Sequence, residues 1–169
     1  MAEYLGATVS VPENDAPHRE YLQEMSKGRF VVQKCSGCGH LRYPVLTACP
    51  DCLAFDYTWQ PLSGKGTIYS YYVVPHPINP IFRQFVPYSV ILVELDEERG
   101  TYGPGRALRV LGNLLDASGT PERLENVAIG KRVEVTMVDL GDGMALPQWR
   151  LSNEPPEHEP WQAKGPPLR

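Results

Sequence analysis

Four cysteines, Cys35, Cys38, Cys49 and Cys52, are the residues of this sequence best suited to chemistry. They are the only cysteines in the chain, and they form two Cys-x-x-Cys pairs separated by residues 39–48. Each pair makes a tight turn whose backbone amides point at the sulfurs, and two such knuckles surround one ion tetrahedrally with thiolates. Gly37 and Gly39 suit turns that demand positive φ, and Pro50 stiffens the second turn. Four thiolates leave no position for water or substrate, so the expected metal is a structural Zn2+ and not a catalytic one. Ligand softness alone also admits iron in an electron carrier. His40 lies beside the site but is superfluous as a ligand.

Little else in the chain suggests catalysis. The histidines are His18, His40, His76 and His158, and none sits in a nucleophile-relay or His-x-x-x-His context. His76, between Pro75 and Pro77, reads as a structural or partner-contacting side chain. Glu94, Asp96, Glu97 and Glu98 run off a strand into a solvated turn at Arg99-Gly100. Gly64-Lys65-Gly66 is too short for a phosphate-binding loop, and no spare cysteine remains as a nucleophile. The chain is therefore expected not to be catalytic alone.

The elements that must hold the cysteines follow from pattern. With 17 prolines and 15 glycines among 169 residues, many turns and short strands are expected. The net charge of −4 disfavours a general polyanion-binding surface. No apolar run is long enough to span a membrane, and the first residues lack the plan of a signal peptide. Paired cysteines without an export signal point to metal in a reducing cytoplasm. Residues 1–29 read as a mobile arm and a short helix, started by Asn14, Asp15 and Pro17 and closed by Lys27-Gly28. Residues 30–58 form the metal ribbon. Residues 59–152 carry five strand patterns, near 66–74, 88–95, 106–111, 132–138 and 145–151, which suggest a small closed barrel. The second, YSVILVEL, reads as buried on both faces. A proline-rich loop, 75–87, and a linker, 113–130, interrupt the barrel. Residues 153–169 read as a Pro-rich tail with a lone Trp161. The fold class is mainly β.

The order of a short helix, a four-cysteine ribbon and a five-stranded barrel resembles the OB-fold, rubredoxin-like zinc-ribbon family known as domain of unknown function thirty-five. The residues that carry the resemblance are Cys35-Ser-Gly-Cys-Gly, Tyr43-Pro44, Cys49-Pro-Asp-Cys52, Ser63-Gly-Lys-Gly-Thr-Ile, Pro87-Tyr-Ser-Val-Ile-Leu-Val-Glu-Leu-Asp and Ile129-Gly-Lys-Arg-Val-Glu-Val. The resemblance implies a non-catalytic subunit that stabilises a thiolase-superfamily enzyme, a thiolase or thiolase-like aldolase, in a hetero-oligomer with two of each chain. It also implies acyl-CoA as a shared ligand. Other family members accompany hotdog-fold enoyl-CoA hydratases.

On that reading, Ile78, Ile81, Phe82 and Phe85 of the proline-rich loop, with Tyr21 and Met25 of the helix, are candidates for the partner interface. Lys34, Arg42, Lys65 and Arg83 are the candidate cations for the CoA phosphates. The competing reading is a single-stranded nucleic-acid binder that stacks bases on Tyr69, Tyr71 and Tyr72, which the acidic balance disfavours. A redox carrier is the third reading.

Overall fold

The computed structural model describes residues 2–11, 15–99 and 107–163. Asn14, Gly100 and Arg106, invoked above, lie outside those residues. The chain opens with β1 (Glu3–Tyr4) and β2 (Ala7–Thr8). Next come α1 (Ala16–Ser26), β3 (Val31–Cys35), β4 (Leu41–Arg42) and β5 (Tyr57–Pro61). Then follow β6 (Lys65–Val74), β7 (Tyr88–Leu95), β8 (Arg109–Asn113), β9 (Arg132–Gly141) and β10 (Met144–Leu151).

The opening residues form a hairpin instead of the expected mobile arm. Its turn residues, Leu5 and Gly6, have φ of 50° and 78°, the handedness that matches strand twist. Two residues per strand cannot hold a hairpin alone. Burial holds it: Ala2 and Tyr4 pack on Leu140 and Met144 of the barrel. In α1, the Asp15 side chain caps the first turn by accepting from the His18 amide. Its apolar stripe, Tyr21 and Met25, is buried against the chain's own core, beside β3 and β10.

Strands β6 to β10 form one antiparallel sheet in the order β10-β9-β6-β7-β8. Leu114 bridges Trp149 in parallel, and the Leu115 amide donates to the Trp149 carbonyl at 2.7 Å. That contact closes the barrel and removes its open edge. Ile68, Ile91, Val93, Leu95, Val110 and Val133 fill it. The alternation in β7 is buried then half-buried, not buried on both faces as expected. An antiparallel strand keeps one face toward solvent. Trp149 and Phe30, 5.9 Å apart edge to face, join barrel and ribbon in one core with Met25 and Val31. Gly112 makes room there: a Cβ at that position would sit 2.7 Å from the Trp149 ring.

The linker delivers Leu114, Leu115 and Val127 into the core through a 3-10 turn at Leu124–Asn126. The last residues described, 153–163, are docked on the barrel and are no loose tail. Trp161 and Ile129 exchange backbone hydrogen bonds of 2.8 and 2.9 Å. The Gln162 side-chain amide donates to the Leu124 and Val127 carbonyls. Lys65 and Arg132 both grip Glu154, and Arg132 also holds Asp96. Residues 153–163 show no periodicity because backbone and side-chain hydrogen bonds, not apolar burial, hold them down; residues 164–169 of the expected tail lie outside the described residues.

The Lys65 and Arg132 hydrogen bonds hold the Glu154 carboxyl below its ordinary range. A carboxylate depressed in the folded state stabilises above its unfolded pKa, and that stability is lost as pH falls through the folded value. Acidification below the usual carboxylate range is therefore expected to loosen residues 153–163, read as faster amide exchange there. Glu154→Gln is expected to loosen them at neutral pH and to remove the step.

Candidate metal centre

Strands β4, β3 and β5 form a three-stranded antiparallel sheet in that order, and β3 ends on Cys35. The two cysteine pairs then repeat one hydrogen-bond plan. The Cys35 amide donates to the His40 carbonyl at 2.9 Å, and the Gly39 amide to the Cys35 carbonyl at 2.9 Å. Five and four residues are spanned again in the second knuckle: Cys49 amide to Ala54 carbonyl at 2.8 Å, Leu53 amide to Cys49 carbonyl at 2.9 Å. In each, the residue after the second cysteine is left-handed, Gly39 with φ 78° and Leu53 with φ 63°.

Gly37, expected to need positive φ, does not adopt it. Its requirement is steric: an added Cβ would lie 3.1 Å from Ala54 Cβ and 3.3 Å from Cys52 Sγ. Leu53 is the residue that carries the strain, because an L side chain in this region costs about 1–2 kcal/mol. Its side chain is 72% exposed, so little packing offsets that cost. Leu53→Gly is expected to stabilise the zinc-loaded chain by about 1 kcal/mol in chemical denaturation.

All four sulfurs lie within 4.8 Å of one another. Cys35 and Cys52 are 3.5 Å apart, and Cys38 and Cys49 3.6 Å. Four sulfurs about 2.3 Å from a tetrahedral zinc sit about 3.8 Å apart, a spacing close to that of the two measured pairs, so the cluster suits that ion. The Gly37 amide donates to Cys35 Sγ at 3.3 Å. Backbone amides, Cys38's first and Gly37's also, draw the Cys35 thiol down to about 6. Cys38 receives the His40 amide, yet burial and the other sulfurs push it up to about 12. Thiols this close resist joint ionisation, and a divalent cation at their centre removes the conflict. His40 turns away from the sulfurs and pairs with Asp51 at 3.2 Å. It supplies no fifth ligand.

The other candidates separate into distinct groups. Tyr21 stacks near Trp59 and Tyr43, with ring centres 6.1 and 6.4 Å away. With Met25 it belongs to the core and presents nothing to a partner. Phe82 and Phe85 are half-buried; Phe82 folds back onto Tyr4 at 6.3 Å. Ile78 and Ile81 stay exposed. Among the cations, Arg42 is 2% exposed, with its guanidinium over the Tyr57 ring at 5.4 Å, and cannot reach a ligand. Lys65 is committed to Glu154. Lys34 and Arg83 are exposed. Two of the three barrel tyrosines are engaged within the chain: Arg109 covers Tyr69 at 3.7 Å, and Tyr71 Oη accepts from the Ala163 amide; Tyr72 stays exposed.

Sequence reasoning missed a second apolar group. Leu46, Leu53 and Phe55 project from the second knuckle into solvent, Phe55 at 69% exposure. Three large apolar residues around one metal turn were a readable signal, hidden because a ribbon is expected to bury what it can. No helix is long and apolar enough to cross a membrane among the described residues.

A sulfur-saturated ribbon fused to a closed five-stranded barrel defines a zinc-ribbon/OB-fold protein whose metal is architectural. The family models agree: residues 26–58 match "ChsH2, rubredoxin-like zinc ribbon domain" and residues 59–146 match "ChsH2, C-terminal OB-fold domain". This chain belongs to the ChsH2 (DUF35) family. It is 34% identical over 130 residues to the probable enoyl-CoA hydratase alpha subunit of Thermomonospora curvata, covering 77% of this chain and 36% of that one. It is 35% identical over 57 residues to benzoylsuccinyl-CoA thiolase subunit BbsA of Thauera aromatica, covering 32% of this chain and 40% of that one. The chain thus spans well under half the length of either relative. A solved structure described as the Ltp2-ChsH2(DUF35) aldolase superposes with a TM-score of 0.65 at 29% identity, covering 83% of this chain and 98% of the other.

Proposed function

We propose that this chain is the zinc-holding, non-catalytic subunit of a thiolase-type acyl-CoA complex, one that stabilises the catalytic chain and helps bind its CoA ester. The observation that carries this reading is the match over nearly the whole ChsH2 chain of the aldolase structure, in a molecule whose metal site is closed by four sulfurs. The thiolase subunit among the relatives supports the same partner class. Ile78 and Ile81 on the loop, with Leu46, Leu53 and Phe55 on the ribbon, are exposed apolar groups that would serve a partner interface. Lys34 and Arg83 are the exposed cations left for CoA phosphate. We take the compartment to be the cytoplasm, where acyl-CoA and reduced thiolates coexist.

A second reading is favoured by the hydratase subunit, which matches the larger share of this chain: the partner is then a hotdog-fold enoyl-CoA hydratase. A nucleic-acid role is disfavoured by the acidic balance and by Tyr69 and Tyr71 being engaged within the chain.

The test is co-expression with thiolase-superfamily and hydratase-family proteins encoded beside this chain, followed by size exclusion. Co-elution with the thiolase-type protein in a stable hetero-oligomer is expected. Ile78→Asp with Ile81→Asp is expected to weaken that complex at least tenfold while leaving the fold intact. Separate elution from every such thiolase would overturn the proposal, and co-elution with a hydratase alone would install the second reading.

A further inference from the structure

Where the hairpin, the proline-rich loop and the barrel meet, a cavity of about 200 Å³ is lined by Tyr4, Leu5, Phe82, Phe85, Tyr88, Asn113 and Pro121. We infer that this cavity binds a neutral molecule carrying a single apolar ring. The size admits that class: a cavity of about 150 Å³ lined by apolar side chains takes up benzene, so one ring with a short substituent fills this one. Four of the seven lining residues are aromatic, offering faces and edges to a ring. No lining residue is charged, so neither a carboxylate nor an ammonium would recover its desolvation cost inside.

The cavity also has a polar end. The Tyr4 hydroxyl donates to Asn113 Oδ1 at 3.1 Å, and Asn113 Nδ2 donates to the Ser89 carbonyl at 3.2 Å. That chain holds both side chains in place and leaves the Tyr4 oxygen able to accept from one hydroxyl of a ligand. Burial keeps the Tyr4 phenol neutral, pushed up to about 12. The family match begins at residue 26. Tyr4 and Leu5 come from the hairpin before it, while the other five lining residues lie within the matched OB-fold stretch, so the cavity forms where the hairpin covers that domain. None of the four cysteines lines it; Arg83, one of the cations proposed for CoA, lies between Phe82 and Phe85 on the same turn, but the ring-binding inference stands or falls independently of the thiolase reading.

The test is a titration of the isotope-labelled, zinc-loaded chain with benzyl alcohol, followed by amide shifts, with benzoate and benzylamine as charged counterparts. Saturable shifts at Leu5, Phe82 and Asn113 are expected, with half-saturation at roughly 1 mM for so few ligand atoms. Contacts from the ligand ring protons to the Tyr4 and Phe82 rings in the wild-type chain locate the site without any variant. Phe85→Trp, or Leu5→Trp should the first misfold, is expected to fill the space and remove binding. Shifts that never saturate, that centre elsewhere, or that benzoate and benzylamine match would overturn the inference.

Discussion

Replacing Cys49 by serine is expected to strip the ribbon of zinc and to unfold it. Cys49 is fully buried, and its sulfur faces that of Cys38 across the cluster. Structural zinc in small cysteine sites contributes about 10–16 kcal/mol to folding, far beyond what the short strands β3, β4 and β5 supply. A hydroxyl is a poor zinc ligand, and the other three thiolates would be left crowded around a weakened ion. Metal analysis should find the wild-type chain with a full equivalent of zinc and Cys49→Ser with little. Amide signals from residues 31–61 should collapse together. A serine variant that keeps its zinc and its ribbon spectrum would show that the metal does not hold this region.

Trp149→Ala should be the most damaging single change outside the ribbon. Trp149 is 1% exposed, closes the barrel through its backbone contact with Leu115, and packs edge-on against Phe30 of the ribbon. Deleting a buried aromatic side chain costs about 3–5 kcal/mol, a large share of the ~5–15 kcal/mol that a domain possesses. Because the ring touches both layers, the loss should appear in ribbon and barrel alike. Chemical denaturation of the zinc-loaded variant measures it; a loss below about 1 kcal/mol would mean that the two layers are stabilised separately.

How far these features were readable differs by residue for physical reasons. The cysteine cluster was legible because metal coordination is local: four ligand types at fixed spacing nearly determine the geometry. Barrel strands such as RVEVTMV were legible because period-two alternation reports burial directly, whereas the unbroken apolar run of YSVILVEL showed a strand but hid which face is buried. The hairpin at Glu3–Tyr4 and Ala7–Thr8 was not, since two-residue strands carry no period and are held by Leu140 and Met144, far away in sequence. Arg42 was chosen as a surface cation because Arg is usually exposed; only the stacked Tyr57 explains its burial. Tyr21 and Met25 had the spacing of an apolar stripe, which says that a face is buried and not by what. The loop residues split for the same reason: Phe82 and Phe85 had Tyr4 and the barrel end to cover, while Ile78 and Ile81 did not.

The zinc site thus reads as the device that keeps a small ribbon folded against a barrel, leaving Leu46, Leu53, Phe55, Ile78 and Ile81 for a catalytic chain. The most direct test is reconstitution. A purified thiolase-type partner is assayed for turnover of its CoA ester while the zinc-loaded chain is added. Turnover should rise and saturate at equal amounts of the two chains, and the Cys49→Ser variant should give no rise. A partner that is fully active alone, unchanged by any amount of the zinc-loaded chain, would contradict the role proposed here.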